Sequence, residues 1–165
     1  MSGTIVLGIG NRLGGDDAAG NYAVDILNPA LRALSAGQRK TRALLPTEIM
    51  AIDVGTAPEN YTSVIRRHRP DLLILVDAAD MGLHPGAFRT ITPEKISILS
   101  FSTHNMPLST FMSYVEEFCG EILIVGVQPE QMAMGNGISK TVRKSVKKLA
   151  EVIVQGRTDE IPLLE

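Results

Sequence analysis

Four aspartates and one histidine are the residues of this chain best placed to do chemistry. Asp16 and Asp17 follow the first apolar run, in "GIGNRLGGDD" (8–17). Asp53 follows the second run, and Asp77 ends the third, "DLLILVDAAD" (71–80), the most apolar stretch of the chain. His104 stands between Thr103 and Asn105, away from any apolar stripe. Carboxylates with an imidazole make a site of mixed oxygen and nitrogen donors, suited to a hard-to-borderline cation. Crowded carboxylates persist only where a cation or a shared proton relieves their repulsion. The glycines before Asp16 resemble a phosphate loop, but two carboxylates at a helix start repel a phosphate and attract a cation. A dinucleotide fingerprint fits Gly8 and Gly10 and then meets Leu13 where a third glycine belongs. Asp16 and Asp17 also occupy the place of a P-loop's lysine and hydroxyl residue.

Each residue has a plainer reading. Asp16 is expected to cap the helix that follows. Asp17 could complement the helix dipole in the first turn as readily as bind an ion. Asp53, before Val54, Gly55 and Thr56, could be a turn residue bonded to its own loop. Asp77 is harder to dismiss, because a carboxylate at the end of a buried strand needs a partner. His68 and His84 sit in charged or turn-like surroundings and read as surface residues. Lys140, Arg143, Lys144, Lys147 and Lys148 read as a solvated helix face, with docking of an acidic partner the lesser alternative.

These residues need elements to position them. "TIVLGIG" (4–10), "EIMAIDVGT" (48–56), "DLLILVDAAD" and "EILIVGVQP" (121–129) read as strands, and "GAFRTITPE" (86–94) as an edge strand closed by Pro93. A helix is expected from about Asp17, its buried face made by Ala19, Tyr22, Ala23, Ile26 and Leu27, with Pro29 ending or kinking it. "SAGQRKTR" (35–42) reads as an exposed loop, and Pro58–Pro70 as a short helix. Further helices are expected from Pro107, buried through Leu108, Phe111, Met112, Val115 and Phe118, and from a Ser139 cap, buried through Val142, Val146, Leu149 and Ile153. This alternation predicts an α/β domain of three layers, a mostly parallel sheet with helices on both faces. Such sheets bind ligands at the carboxyl ends of their strands, which is where the acids stand.

At 165 residues the chain is read as one domain, with 156–165 as a tail. A net charge of −2 and aromatic content of 4% argue against a nucleic-acid partner. The lone Cys119, beside Gly120, excludes an internal disulfide, reads as a small packing residue and suits the cytoplasm. No apolar run is long enough for membrane insertion. A G-x-S-x-G nucleophile motif is absent.

The blocks "GIGNRLGGDDAAG", "IDVGTAPEN", "LILVDAADMGLHPGAFR", "STHNMPLS" and "GVQP" occur in order. Together they resemble the nickel–iron hydrogenase maturation endopeptidases, in particular the HycI type, which processes the large subunit of hydrogenase 3 and related formate-hydrogenlyase enzymes. The likeness runs from about Gly8 to Pro129. It implies a twisted five-stranded sheet between helices. It implies that Asp17, Asp77 and His104 ligate a metal, nickel already seated in the precursor, with no organic cofactor. It implies an aspartic-type, metal-recognising endopeptidase that removes a C-terminal extension from the large-subunit precursor; apart from the resemblance, a monomer is expected. Asp53 matches an acid proposed to assist recognition or cleavage. Two positions depart from the family pattern: Ala18 stands where glycine is frequent, and Val54 replaces the first glycine of a Gly-Gly pair. The rival readings are a zinc metallopeptidase, for which H-E-x-x-H is missing, and a non-enzymatic nickel carrier or assembly checkpoint.

Overall fold

The computed structural model of the protein describes residues 3–38, 48–99, 101 and 106–165. Five strands form one sheet: β1 (Thr4–Ile9), β2 (Ile49–Gly55), β3 (Leu72–Ala78), β4 (Phe88–Ile91) and β5 (Glu121–Val127), in the order β2-β1-β3-β5-β4. Strands β2, β1, β3 and β5 run parallel, and β4 pairs antiparallel with β5 at one edge. The helices are α1 (Ala19–Gln38), α2 (Thr62–His68), α3 (Pro93–Ile96), α4 (Leu108–Val115) and α5 (Lys140–Val154). This is the α/β architecture expected from the alternation of apolar runs.

Alternation along the central strands divides the core. Ile5, Leu7, Ile9, Leu73 and Leu75 pack with Ile65, Leu108, Phe111 and Val115 of α2 and α4. Val6, Ile74, Val76 and Val125 face the other way, onto Ala19, Ala23 and Leu27 of α1 and Val142, Val146, Leu149 and Ile153 of α5. A strand covered on both faces must be apolar at every position, which explains the unbroken "LLILV" of β3. Each fully buried leucine or isoleucine stabilises this arrangement by roughly 1.5–3 kcal/mol. Ser139 caps α5 as expected, its hydroxyl accepting the Val142 N–H, and the basic residues of α5 are exposed.

Three expectations need correction. Pro29 does not end α1, which continues to Gln38. One missing N–H donor removes a single helical bond, and packing of Leu27 and Leu31 on either side of Pro29 holds the helix in place. Ser35–Gln38 are accordingly helical rather than loop, and 39–42 lie outside the described residues. The segment read as a tail is docked. The Thr90 N–H donates to the Pro162 carbonyl at 2.9 Å and the Leu164 N–H to the Thr90 carbonyl at 2.8 Å. Ile161 and Leu164 are buried there, covering the free side of β4, which would otherwise expose unpaired backbone groups.

Candidate functional site

The acids stand at the carboxyl ends of three adjacent parallel strands. Gly8 and Gly20 let α1 press onto β1: a side-chain carbon on Gly8 would overlap the Gly20 carbonyl, and one on Gly20 would overlap the carbonyl oxygens of Ile9 and Val76. This close approach places a 3-10 turn, Gly15–Ala18, against the end of β3. The turn carries Asp17, which is buried. Asp77 is fully buried and pairs with Gly126, one residue beyond the last contact of β3 with β1, Val76 to Gly8. Asp17 and Asp77 therefore belong to two elements packed on each other. His104 lies outside the described residues. Among the described residues no three His, Cys, Asp or Glu side chains gather to hold a metal ion.

Asp16 does not cap its own helix, contrary to expectation. Gly14 occupies that position, without a side-chain bond. The Asp16 carboxylate is instead the anchor of the loop between β5 and α5. It accepts the N–H groups of Glu130 (2.8 Å), Gln131 (3.1 Å) and Ser139 (2.7 Å), together with the Ser139 hydroxyl (2.9 Å). A buried carboxylate requires such donors, and the turn's own N–H groups point elsewhere. The loop so fixed meets the β1–α1 loop, where the Gly135 N–H donates to the Leu13 carbonyl. It carries Met132 and Met134, exposed like Leu13, so the carboxyl end of the sheet is edged by apolar side chains on hydrogen-bonded backbone.

Asp53 has a different setting. The register of β1 and β2 slips after Gly8–Asp53, so that Ile9 pairs with Gly55 and Val54 is left over. The extra residue aims Asp53 into an open groove lined by Gly10, Asn11, Arg12, Asn21 and Thr56. Val54 turns into the core, 4% exposed, while Gly55 supplies the positive φ of 59°. The departure from Gly-Gly thus leaves the groove unobstructed. Oδ1 of Asp53 accepts the Asn21 amide (2.7 Å) and the Gly55 N–H (3.0 Å), and Oδ2 accepts Nε (3.0 Å) and Nη2 (2.7 Å) of Arg12. Partial burial pushes this carboxyl up, but the Gly55, Asn21 and Arg12 donors outweigh it and hold it below the ordinary carboxylate value. Arg12 is raised chiefly by its bonds to Asp25, whose two oxygens accept Nη1 and Nη2 at 2.8 Å each.

Sequence reasoning missed Arg12, Asn21 and Gln128. Asn21 sits one turn after Asp17, 1% exposed, and its amide also donates to the Gly10 carbonyl. A polar residue amid the apolar face of α1 was the available signal. Gln128 is buried beyond β5 and accepts the N–H groups of Met81 (2.6 Å) and Leu83 (3.2 Å), ordering the loop that follows Asp77. Arg12, in a loop, carried no signal. Cys119 is half-buried, which pushes its thiol up to about 11, so it is protonated near neutrality and a poor nucleophile. His68 and His84 are exposed.

The family model for HycI, hydrogenase maturation protease, matches residues 36–156. The chain belongs to the hydrogenase maturation proteases. It is 35% identical over 144 residues to the hydrogenase 3 maturation protease of Escherichia coli K12, covering 87% of this chain and 83% of that protein. A putative hydrogenase maturation protease of Methanocaldococcus jannaschii is 33% identical over 152 residues, covering 92% and 86%. The solution structure of the endopeptidase HycI from Escherichia coli aligns with a TM-score of 0.77 at 30% identity, over 98% of this chain and 96% of that one. The crystal structure of the [NiFe] hydrogenase maturation protease HycI from Thermococcus kodakarensis aligns at 0.74 and 29%, over 93% and 91%. Membership makes this chain a hydrolase, a protease of hydrogenase maturation. No described helix is long and apolar enough to cross a membrane.

Proposed function

We propose that this protease removes a C-terminal extension from the precursor of a nickel–iron hydrogenase large subunit after nickel insertion, and that it recognises the nickel carried by that substrate. The observation that carries the reading is the pair of buried carboxylates, Asp17 and Asp77, on two packed elements at the carboxyl edge of the sheet. With His104 they make an oxygen-and-nitrogen donor set suited to a borderline divalent ion. Three donors leave coordination positions for ligands that the precursor supplies, unlike a closed four-ligand structural site. Exposed Leu13, Met132 and Met134 beside the acids suit a polypeptide substrate, since thioethers adapt to varied apolar surfaces. Asp53 is the assisting acid or base, and all its acceptor positions are filled, so it must shed a donor to take a proton. The protein works as a cytoplasmic monomer.

The test crosses chelated or untreated enzyme with nickel-loaded or nickel-free precursor, following the size shift of the large subunit. Brief chelation of the enzyme should leave processing intact, and nickel-free precursor should resist cleavage. Asp77→Asn should lower processing by about 100-fold or more, because a misplaced substrate loses the advantage of proximity. Loss of activity on chelation with recovery on added zinc would establish the metallopeptidase reading. Binding of loaded precursor without cleavage would establish the carrier reading.

A further inference from the structure

We infer that Arg12, anchored on Asp25, is a positioning residue of this protease that fixes the Asp53 carboxylate at the mouth of the groove. The inference rests on the role proposed for Asp53. The guanidinium joins two carboxylates that come from different elements, Asp25 on α1 and Asp53 at the end of β2. Its hold on Asp25 is bidentate, with Nη1 and Nη2 each 2.8 Å from a separate oxygen. That hold leaves Nε and the second Nη2 hydrogen aimed at Oδ2 of Asp53. Asn21 closes the other side, its amide on Oδ1 of Asp53 and on the Gly10 carbonyl. The carboxylate is therefore clamped in orientation by a rigid planar fork and a buried amide.

A fork of this kind is not replaceable by lysine, whose ammonium is a point charge without planar geometry. The clamp also sets the state of Asp53: its carboxyl lies below the ordinary value, with burial opposing and Gly55, Asn21 and Arg12 prevailing. Arg12 and Asp25 are the charged groups in this network. Asp16, Asp17, Arg32 and Glu59 are carried by the neighbouring turns and α1. Arg12 is half-exposed, so its removal opens no core cavity, and a loss of activity would not simply report unfolding.

The experiment measures kcat and KM for nickel-loaded precursor across pH 4–9 with wild type, Arg12→Ala, Arg12→Lys and Asp25→Asn, and follows the Asp53 carboxyl of the free protein by NMR. Wild-type cleavage is the control on the reading beneath the inference: if wild type does not cleave, that reading fails, whatever the variants do. Given an active wild type, Arg12→Ala should lower kcat by roughly 10–100-fold with a smaller change in KM. It should also move the acid limb of the kcat profile, and the Asp53 titration, to higher pH. Arg12→Lys should return the acid limb toward wild type while kcat stays depressed, and Asp25→Asn should fall between wild type and Arg12→Ala. An Arg12→Ala enzyme with wild-type kcat and an unmoved acid limb would overturn the inference. So would a fall in kcat with the Asp53 titration unchanged.

Discussion

At the scale of single residues, the two adjacent aspartates of the β1–α1 loop have separate tasks despite equal chemistry. Asp17 is buried on the turn packed against the end of β3, whereas Asp16 turns away to hold the β5–α5 loop through three backbone N–H groups and one hydroxyl. Removing the Asp16 carboxylate strands those partly buried donors, and an unsatisfied group costs up to about 1–3 kcal/mol when fully buried. Relaxation of the loop toward water recovers part of this, so Asp16→Ala should destabilise the fold by roughly 2–4 kcal/mol. Urea unfolding measures the loss. Hydrogen exchange should accelerate at the amides of Glu130, Gln131 and Ser139, while the amides of β3 follow global stability alone.

At the scale of elements, the site depends on how closely α1 approaches the sheet. Gly8 and Gly20 remove the side chains that would separate them. Gly20→Ala should destabilise by about 1–3 kcal/mol through overpacking, even though alanine is favoured over glycine within a helix by ~1 kcal/mol. Because the displaced end of α1 adjoins the turn bearing Asp17, the same change should weaken processing. Thermal unfolding and cleavage of loaded precursor, measured together, check both outcomes. A Gly20→Ala variant as stable and active as wild type would show that the helix can shift without moving the acids.

At the scale of the whole molecule, the Asp53 network gives stability a defined pH dependence. The folded carboxyl value lies below the ordinary one, so the folded state binds protons less readily than the unfolded chain. The contribution is present at neutral pH, above the unfolded value of ~3.9, and is lost as pH falls through the lower folded value. Arg12→Gln should therefore be less stable than wild type near neutrality, and the gap should close as the solution becomes strongly acidic. Both side chains of the ion pair are partly exposed, at 51% and 29%, so the gap should be small and should shrink in high salt. Denaturant unfolding at several pH values and two salt concentrations measures it.

By itself the sequence determined the layered α/β class, the buried strands and the acids at their carboxyl ends, because these follow from periodicity and from local strand-end chemistry. Apolar residues unbroken through Leu72–Val76 require cover on both faces, and an acid directly after such a run falls at the edge of the sheet. The family blocks were legible for the same reason: each is a short, contiguous stretch. Tertiary structure decided what each polar group meets. Asp16 finds donors 114 residues away, Arg12 reaches Asp53 across 41 and Asn21 across 32, and no local spacing encodes those distances. Pro29 stays inside α1 because packing on the sheet outweighs one lost helical bond. The last residues are held because β4 presents a free edge, and the existence of that edge depends on the order in which all five strands assemble.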